Sequence, residues 1–362
     1  MSDIRALTGL RGVAALWVVV YHIVFAGAVA VAVPWAPLEQ LIRHGYLAVD
    51  VFFALSGFVM ALSYGRYVQA GWTWRSYADF MRRRLARVYP LYLVMTLLVA
   101  AMLATGLSRS LASATLGHDL PYNLLLIQSW GLAESINPPA WSISTELAAY
   151  VLFPLLAWPV FRLRLIWPLL LAGVAAGGLY LLQYVSLSGV YVRYGPLDIV
   201  PEVASPWAVM RCLGSFTLGL VMHRLSLQPW VRQHVIERTG VAGLVALLML
   251  ICAATAGADI LFVLLAPLLV LTLLNERALL SRWLASPALY FLGEISYSVY
   301  LLHAQLLRVT WMVPPRLAPW VGELPAFLIG CGIMFAILLG MSYLSYRFLE
   351  KPCRAWLSGR KS

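Results

Sequence analysis

Arg11 and His22 lie in one apolar run near the start of the chain, eleven residues apart among Leu, Val, Ala and Trp. At roughly 100° per residue, that separation returns to nearly the same helical face after about 16 Å of rise. One stripe of one helix then carries a cation near one end and an imidazole toward the other. Imidazole exchanges a proton near neutral pH, which suits it to general acid–base work. An ionisable group in an apolar span is costly unless it faces a cavity or a partner. His22 is therefore either a general base or an interior histidine bonded to a neighbouring helix.

Four more segments carry chemistry-bearing side chains in helical register. In GYLAVDVFFALSGF, Asp50, Phe53 and Gly57 share a face. In a hairpin with the first run, Asp50 comes roughly level with His22. It either orients that imidazole, as a carboxylate does in catalytic triads, or forms a structural ion pair with a buried Arg or His. In PPAWSISTELAAYVLFP, Ser142, Glu146 and Tyr150 recur at i, i+4, i+8. That stripe makes Glu146 either a functional membrane carboxylate or a packing hydrogen-bond partner. In GEISYSVYLLH, Ser296, Tyr300 and His303 recur at i, i+4, i+7. His303 is expected to bind substrate or support structure rather than do chemistry. In MRRRLARVYP, Arg83 and Arg87 share a face. Arginine forks match phosphate oxygens, so this run either holds the phosphates of a nucleotide-containing donor or only sets topology.

The elements that must position these side chains are membrane spans. Of 362 residues, 62% are hydrophobic and 11% charged, against about 25% charged in a typical soluble protein. A soluble core of this size could not absorb so much apolar surface, so lipid must solvate much of it. Ten apolar stretches are long enough to cross, near 7–31, 44–63, 86–106, 141–161, 164–186, 206–224, 239–256, 259–276, 288–312 and 322–348. The stretch 120–133 is too short and reads as interfacial or re-entrant. The net charge of +11 follows the positive-inside rule rather than a nucleic-acid footprint. Arg5, Arg11, Arg66, Arg75, Arg162, Arg164, Arg224, Arg232, Arg238, Arg277, Arg282, Lys351, Arg354, Arg360 and Lys361 fall on one side with the MRRRLARVYP arginines. Only Arg43, Arg109, Arg193, Arg308 and Arg316 fall on the other. The expectation is an all-α, polytopic transmembrane helical bundle of about ten spans with both termini cytoplasmic, as a single domain over residues 1–362. Arg11 and His22 are foreign to a signal peptide's apolar region, so the first run is read as an uncleaved span despite the small residues from Ala26 to Ala32. Cys212, Cys252, Cys331 and Cys353 have no disulfide or metal spacing.

ALTGLRGVAALWVVVYH, GYLAVDVFFALSGF, RRRLARVYPLYLV, NLLLIQSW, WSISTELAAYVLFP, ISYSVYLLH and FLEKPCR occur in that order. Together they resemble the bacterial acyltransferase-3 family of integral membrane acyltransferases, from Arg5 to Arg354. The resemblance implies ten core helices, acyl-CoA as donor, and acceptors such as exopolysaccharide, lipopolysaccharide, peptidoglycan or glycosylated small molecules. It implies that His22, in the arginine–ten residues–histidine motif with Arg11, is essential to transfer. The family's arginine-rich motif matches Arg82, Arg83, Arg84 and Arg87, and its tryptophan–serine–glutamate motif matches Trp141, Ser142 and Glu146. Thr8 and Leu147 stand where the family commonly has acidic residues.

From residues and resemblance together, the expected enzyme is a membrane O-acyltransferase of the bacterial inner membrane. Acetyl-CoA is its donor substrate, and no cofactor or metal is bound permanently. Arg82, Arg83, Arg84, Arg87 and Arg11 would hold the donor, and His22, Asp50 and Glu146 would form the catalytic set. Ser142, Trp141, Tyr300 and His303 would bind the acceptor, a sugar hydroxyl of an exopolysaccharide or its lipid-linked precursor. With no soluble domain after the last span, the acyl group is expected to pass directly to that acceptor or to a separate protein. The alternatives are a polysaccharide or lipid transporter, or a non-catalytic subunit of a polysaccharide synthesis complex.

Overall fold

A computed structural model describes residues 4–25, 35–107, 112–184, 197–198 and 206–359. Arg109, Arg193, Arg360, Lys361 and the small-residue stretch from Ala26 to Ala32 lie outside them. Among the described residues the regular elements are all helical. The first eight α-helices used below are α1 (Arg5–Phe25), α2 (Ala36–Arg43), α3 (Ala48–Ala70), α4 (Trp74–Ala104), α5 (Ala112–Leu124), α6 (Trp141–Arg162), α7 (Ile166–Leu182) and α8 (Trp207–Ser226). The later principal helices are Val241–Ala253, Asp259–Thr272, Pro287–Leu306 and Glu323–Ser345.

Helices stand at all ten stretches expected to cross. By length and apolarity alone, five continuous helical segments can span a bilayer: Arg5–Val24, Ala36–Ala70, Trp74–Ala104, Pro138–Arg162 and Glu323–Leu357. A sixth is possible if Pro229–Ile236 and Val241–Ala253, bent by 71°, count as one broken span. Two shorter apolar helices, Ile166–Leu182 and Asp259–Thr272, fall below the length of a full crossing. The physical reason for the shortfall from ten differs by helix. Val241–Ala253 and Asp259–Thr272 have only 13 and 14 residues, against about 20 for a full crossing. α8 and Pro287–Leu306 have 20 residues each but carry polar and ionisable side chains, Arg211 and His303 among them, buried against other helices. Residues 120–133 form the end of α5 and a run of turns, with no crossing helix.

α4 begins with a reciprocal cap. The Thr73 hydroxyl accepts from the Ser76 amide and the Ser76 hydroxyl accepts from the Thr73 amide, satisfying two amides that a helix start otherwise orphans. That cap sets where the helix starts and therefore where Arg82 to Arg87 fall along it.

Two glycine crossings hold the bundle's centre. α1 lies against Pro287–Leu306, and a Cβ on Gly293 would sit 1.9 Å from the Thr8 carbonyl oxygen, while one on Gly12 would sit 2.8 Å from the Gly293 nitrogen. α3 lies against α8, where a Cβ on Gly57 would sit 2.0 Å from the Phe216 oxygen and one on Gly219 2.1 Å from the Ala54 oxygen. Small residues permit this backbone approach where lipid supplies no hydrophobic drive between helices. In each pair the two helices run parallel. His22 and His303 each lie ten residues beyond Gly12 and Gly293, so the first crossing brings the two imidazoles level. Asp50 and Arg211 lie seven residues before Gly57 and eight before Gly219, and the second crossing brings them level in the same way.

Gly219→Ala is expected to lower the thermal unfolding midpoint of the detergent-solubilised protein, at a cost of about 1–3 kcal/mol for forcing the backbones apart. Gly243→Ala, whose Cβ meets nothing within 4 Å, should leave the midpoint unchanged or raise it. Equal midpoints for both variants would contradict the crossing.

Candidate active site

A cavity of about 110 Å³ lies among α1, α3, α4, α6 and the Pro287–Leu306 helix. Arg11, Arg84 and Arg87 border it toward the end where α1 and α4 begin. Glu146, Tyr150, Ser142 and Tyr300 border it along and toward the opposite end. The Ser142–Glu146–Tyr150 stripe read from the sequence thus faces one cavity, and so do Ser296 and Tyr300 from the second stripe. Ser142 and Tyr300 share a hydrogen bond of 2.9 Å between their hydroxyls.

A second cavity, of about 330 Å³, opens beside it at the arginine-rich end. Arg84 and Arg87 border both spaces, and Arg83 and Arg354 border the second. The Arg84 guanidinium stacks over the Tyr64 ring and donates to its hydroxyl at 3.3 Å, while its buried Nε has no protein acceptor. Arg82 and Arg83 are different: both pair with Asp79 at 2.6 and 2.7 Å on an exposed surface. The cluster divides into two surface arginines tied to a carboxylate and two that face the interior.

His22 is half-buried and lies beyond this cavity rather than on its wall. Its Nδ1 is 2.8 Å from the Val18 carbonyl and 3.3 Å from Nε2 of His303, with ring centroids 4.8 Å apart. His303 is fully buried and holds its Nδ1 2.6 Å from the Tyr300 carbonyl. Tyr300 is therefore the link, with its phenol on the cavity and its carbonyl on the histidine pair.

Asp50 does not pair with His22. Its carboxylate is buried and engaged by Arg211, at 2.5 Å from Nη2 and 3.2 Å from Nε, and by the Ser215 hydroxyl at 2.9 Å. Of the two readings open for Asp50, the geometry is that of the structural ion pair. Side chains level along a hairpin need not face each other, and the close α3–α8 crossing at Gly57 and Gly219 presents Asp50 to Arg211 instead. Glu146 faces the cavity. Trp141 is buried with its ring 6.0 Å below the Arg211 guanidinium and edge-on to Phe53, so it packs the ion pair and does not border the cavity.

Arg211 and Asp198 are the residues the sequence reading passed over. Arg211 also donates to the Leu197 carbonyl at 2.7 Å, and Asp259 accepts from the Leu197 amide at 3.0 Å. Asp198 accepts from the Tyr21 hydroxyl, beside His22. Arg211 sits in an apolar run, so the rule that singled out Arg11 applies to it equally. Asp198 falls between two of the apolar stretches expected to cross and had no such signal. At the arginine-rich end, Glu350 accepts from Ser298 and Glu294 accepts from Tyr346, joining the FLEKPCR segment to the Pro287–Leu306 helix. All four cysteines are free.

A helical membrane bundle with an interior cavity bordered by arginines and a glutamate, and an imidazole pair beside it, has the frame of an integral membrane enzyme. The chain belongs to the acyltransferase-3 family: that family's acyltransferase domain matches residues 4–343. It is 32% identical over 328 residues to the acyltransferase MdmB of Streptomyces mycarofaciens, covering 84% of this chain and 79% of that protein. It is 23% identical over 380 residues to a Staphylococcus aureus protein named as an O-acetyltransferase, covering 98% of this chain but 58% of that one. It is 32% identical over 171 residues to Protein 2 in the picA locus of Rhizobium radiobacter, covering 41% of this chain and 78% of that protein. No solved structure matches. The protein is thus an acyltransferase built in a membrane.

Removing Arg211 leaves the Asp50 carboxylate buried and unpaired. Arg211→Met is expected to destabilise the protein by about 3–5 kcal/mol, and Asp50→Leu with Arg211→Met together to recover most of it. Thermal unfolding of the single and double variants in detergent checks this; no recovery in the double variant would count against a structural pair.

Proposed function

We propose that the protein is an O-acetyltransferase of the bacterial inner membrane, moving acetyl from cytoplasmic acetyl-CoA to a sugar hydroxyl of an exopolysaccharide or its lipid-linked precursor. The observation that carries this reading is a cavity bordered by arginines at one end and by Glu146 and Tyr300 along it, with the His22–His303 pair behind Tyr300, whose carbonyl meets His303. Ten crossings with cytoplasmic termini would set the arginine-rich end on the cytoplasmic side and His22 toward the outer leaflet.

Arg84 and Arg87 hold the donor's phosphates, with Arg83 and Arg354 at the mouth. The Arg84 Nε without an acceptor and the planar guanidinium forks suit that anion. The extended pantetheine arm enters the inner cavity past Arg11. For the thioester to reach His22, the Ser142–Tyr300 hydrogen bond must open, so these two residues stand at the passage between donor cavity and imidazole.

In the transfer step, His22 takes the proton of the acceptor hydroxyl as its oxygen attacks the thioester carbonyl carbon. The new C–O bond forms, the C–S bond breaks, and the thiolate of CoA leaves, taking the proton from the imidazolium to become the thiol and restoring neutral His22. General-base help of this kind supplies roughly 10²–10⁴ in rate, and holding donor and acceptor together supplies much of the rest. The names of the relatives, an acyltransferase and an O-acetyltransferase, support the reaction class; the sugar acceptor rests on family resemblance.

His22→Ala is expected to insert and fold but to lose acetyl transfer. Arg84→Ala and Arg87→Ala are expected to raise KM for acetyl-CoA about 10- to 100-fold, the loss of one charge-assisted bond, with kcat little changed. Radiolabelled acetyl transfer in reconstituted vesicles measures both. Wild-type transfer by His22→Ala removes His22 from the chemistry, and an unchanged KM in both arginine variants removes the cavity arginines from donor binding.

A further inference from the structure

We infer that His303 is a positioning residue for His22: as a hydrogen-bond acceptor, it fixes the tautomer that leaves the His22 lone pair on Nε2. This rests on His22 acting as the general base.

The tautomers follow from the partners. A backbone carbonyl only accepts. His303 Nδ1 lies 2.6 Å from the Tyr300 carbonyl, so Nδ1 carries the proton. In a fully buried, neutral ring, Nε2 is then an acceptor. His22 Nδ1 lies 2.8 Å from the Val18 carbonyl, so it too carries its proton. That one N–H is shared between the Val18 oxygen and His303 Nε2 at 3.3 Å. Both acceptors draw the proton to the same nitrogen, and the basic lone pair is left on Nε2. When His22 takes a proton, its Nδ1–H faces the same two acceptors with a full positive charge behind it, which strengthens both bonds.

In a serine-protease triad, a carboxylate performs this orienting task. The carboxylate expected here, Asp50, is held by Arg211 and Ser215. A neutral imidazole and a backbone carbonyl take its place. The arrangement depends on the close approach of Gly12 and Gly293, which sets the two rings level. It also ties the histidine pair to the cavity, because the residue whose carbonyl fixes the His303 tautomer, Tyr300, presents its hydroxyl to Ser142.

The test uses full-length protein in vesicles, with radiolabelled acetyl-CoA as donor and chemically de-O-acetylated exopolysaccharide of the host strain as acceptor. His303→Ala is expected to lower kcat about 30-fold with KM for both substrates within about twofold. His303→Gln offers an amide oxygen to the same N–H and is expected to recover kcat to within about fivefold of wild type. In the His22→Ala background, adding His303→Ala should lower the residual rate no further, since a residue that acts through another has no effect once that other is gone. A raised acceptor KM with unchanged kcat would overturn the inference in favour of acceptor binding. Independent losses in the double variant, or a folded His303→Gln as slow as His303→Ala, would overturn it as well. If His303→Ala does not fold, the glutamine variant and its combination with His22→Ala decide. An inactive His22→Ala beside a wild-type His303→Ala sinks this inference alone; a fully active His22→Ala sinks the general-base reading beneath it.

Discussion

Polar groups placed inside a bilayer must find partners within the protein, because lipid tails offer none. That constraint organises this molecule. Arg211 and Asp50 form a buried ion pair supported by Ser215 and flanked by the rings of Tyr46 and Trp141. The same guanidinium donates to the Leu197 carbonyl, so one buried charge both joins α3 to α8 and anchors Leu197. Where partners are not supplied in full, a cavity opens, and there Arg84 keeps an unsatisfied buried nitrogen.

The glycine crossings convert that constraint into geometry. Two parallel helix pairs approach until their backbones touch, and each crossing sets a polar pair level a few turns away. His22 meets His303 in one pair and Asp50 meets Arg211 in the other. The pairs differ in what they can do. A carboxylate locked by a bidentate arginine and a hydroxyl is a fixed strut with little capacity left for proton transfer. The proposed reaction therefore falls to the histidine pair, in which the inferred tautomer would leave His22 its basic nitrogen.

The arginine run shows the same division. Consecutive residues on a helix point in different directions, and burial sorts them. Arg82 and Arg83 meet Asp79 in the open, where ion pairs contribute little. Arg84 and Arg87 turn inward, where an anion would find low competition from water. A segment that reads as one basic motif is therefore a surface pair next to an interior pair.

Composition alone made this a helical membrane protein, because apolar surface on this scale has no soluble solution. Helical periodicity put Ser142, Glu146 and Tyr150 on one face and Ser296 and Tyr300 on another, since side-chain direction along a single helix follows from 3.6 residues per turn, and ordered motifs carried the family. Partners across helices depended on tertiary structure. Nothing local to Asp50 favours Arg211, which lies 161 residues away, over His22; the Gly57–Gly219 crossing made that choice. Nothing local to His303 ties it to His22; the approach of Gly12 and Gly293 did. Helix faces are a property of the chain, whereas which faces meet is set by how closely backbones can pack, and that is decided only in three dimensions.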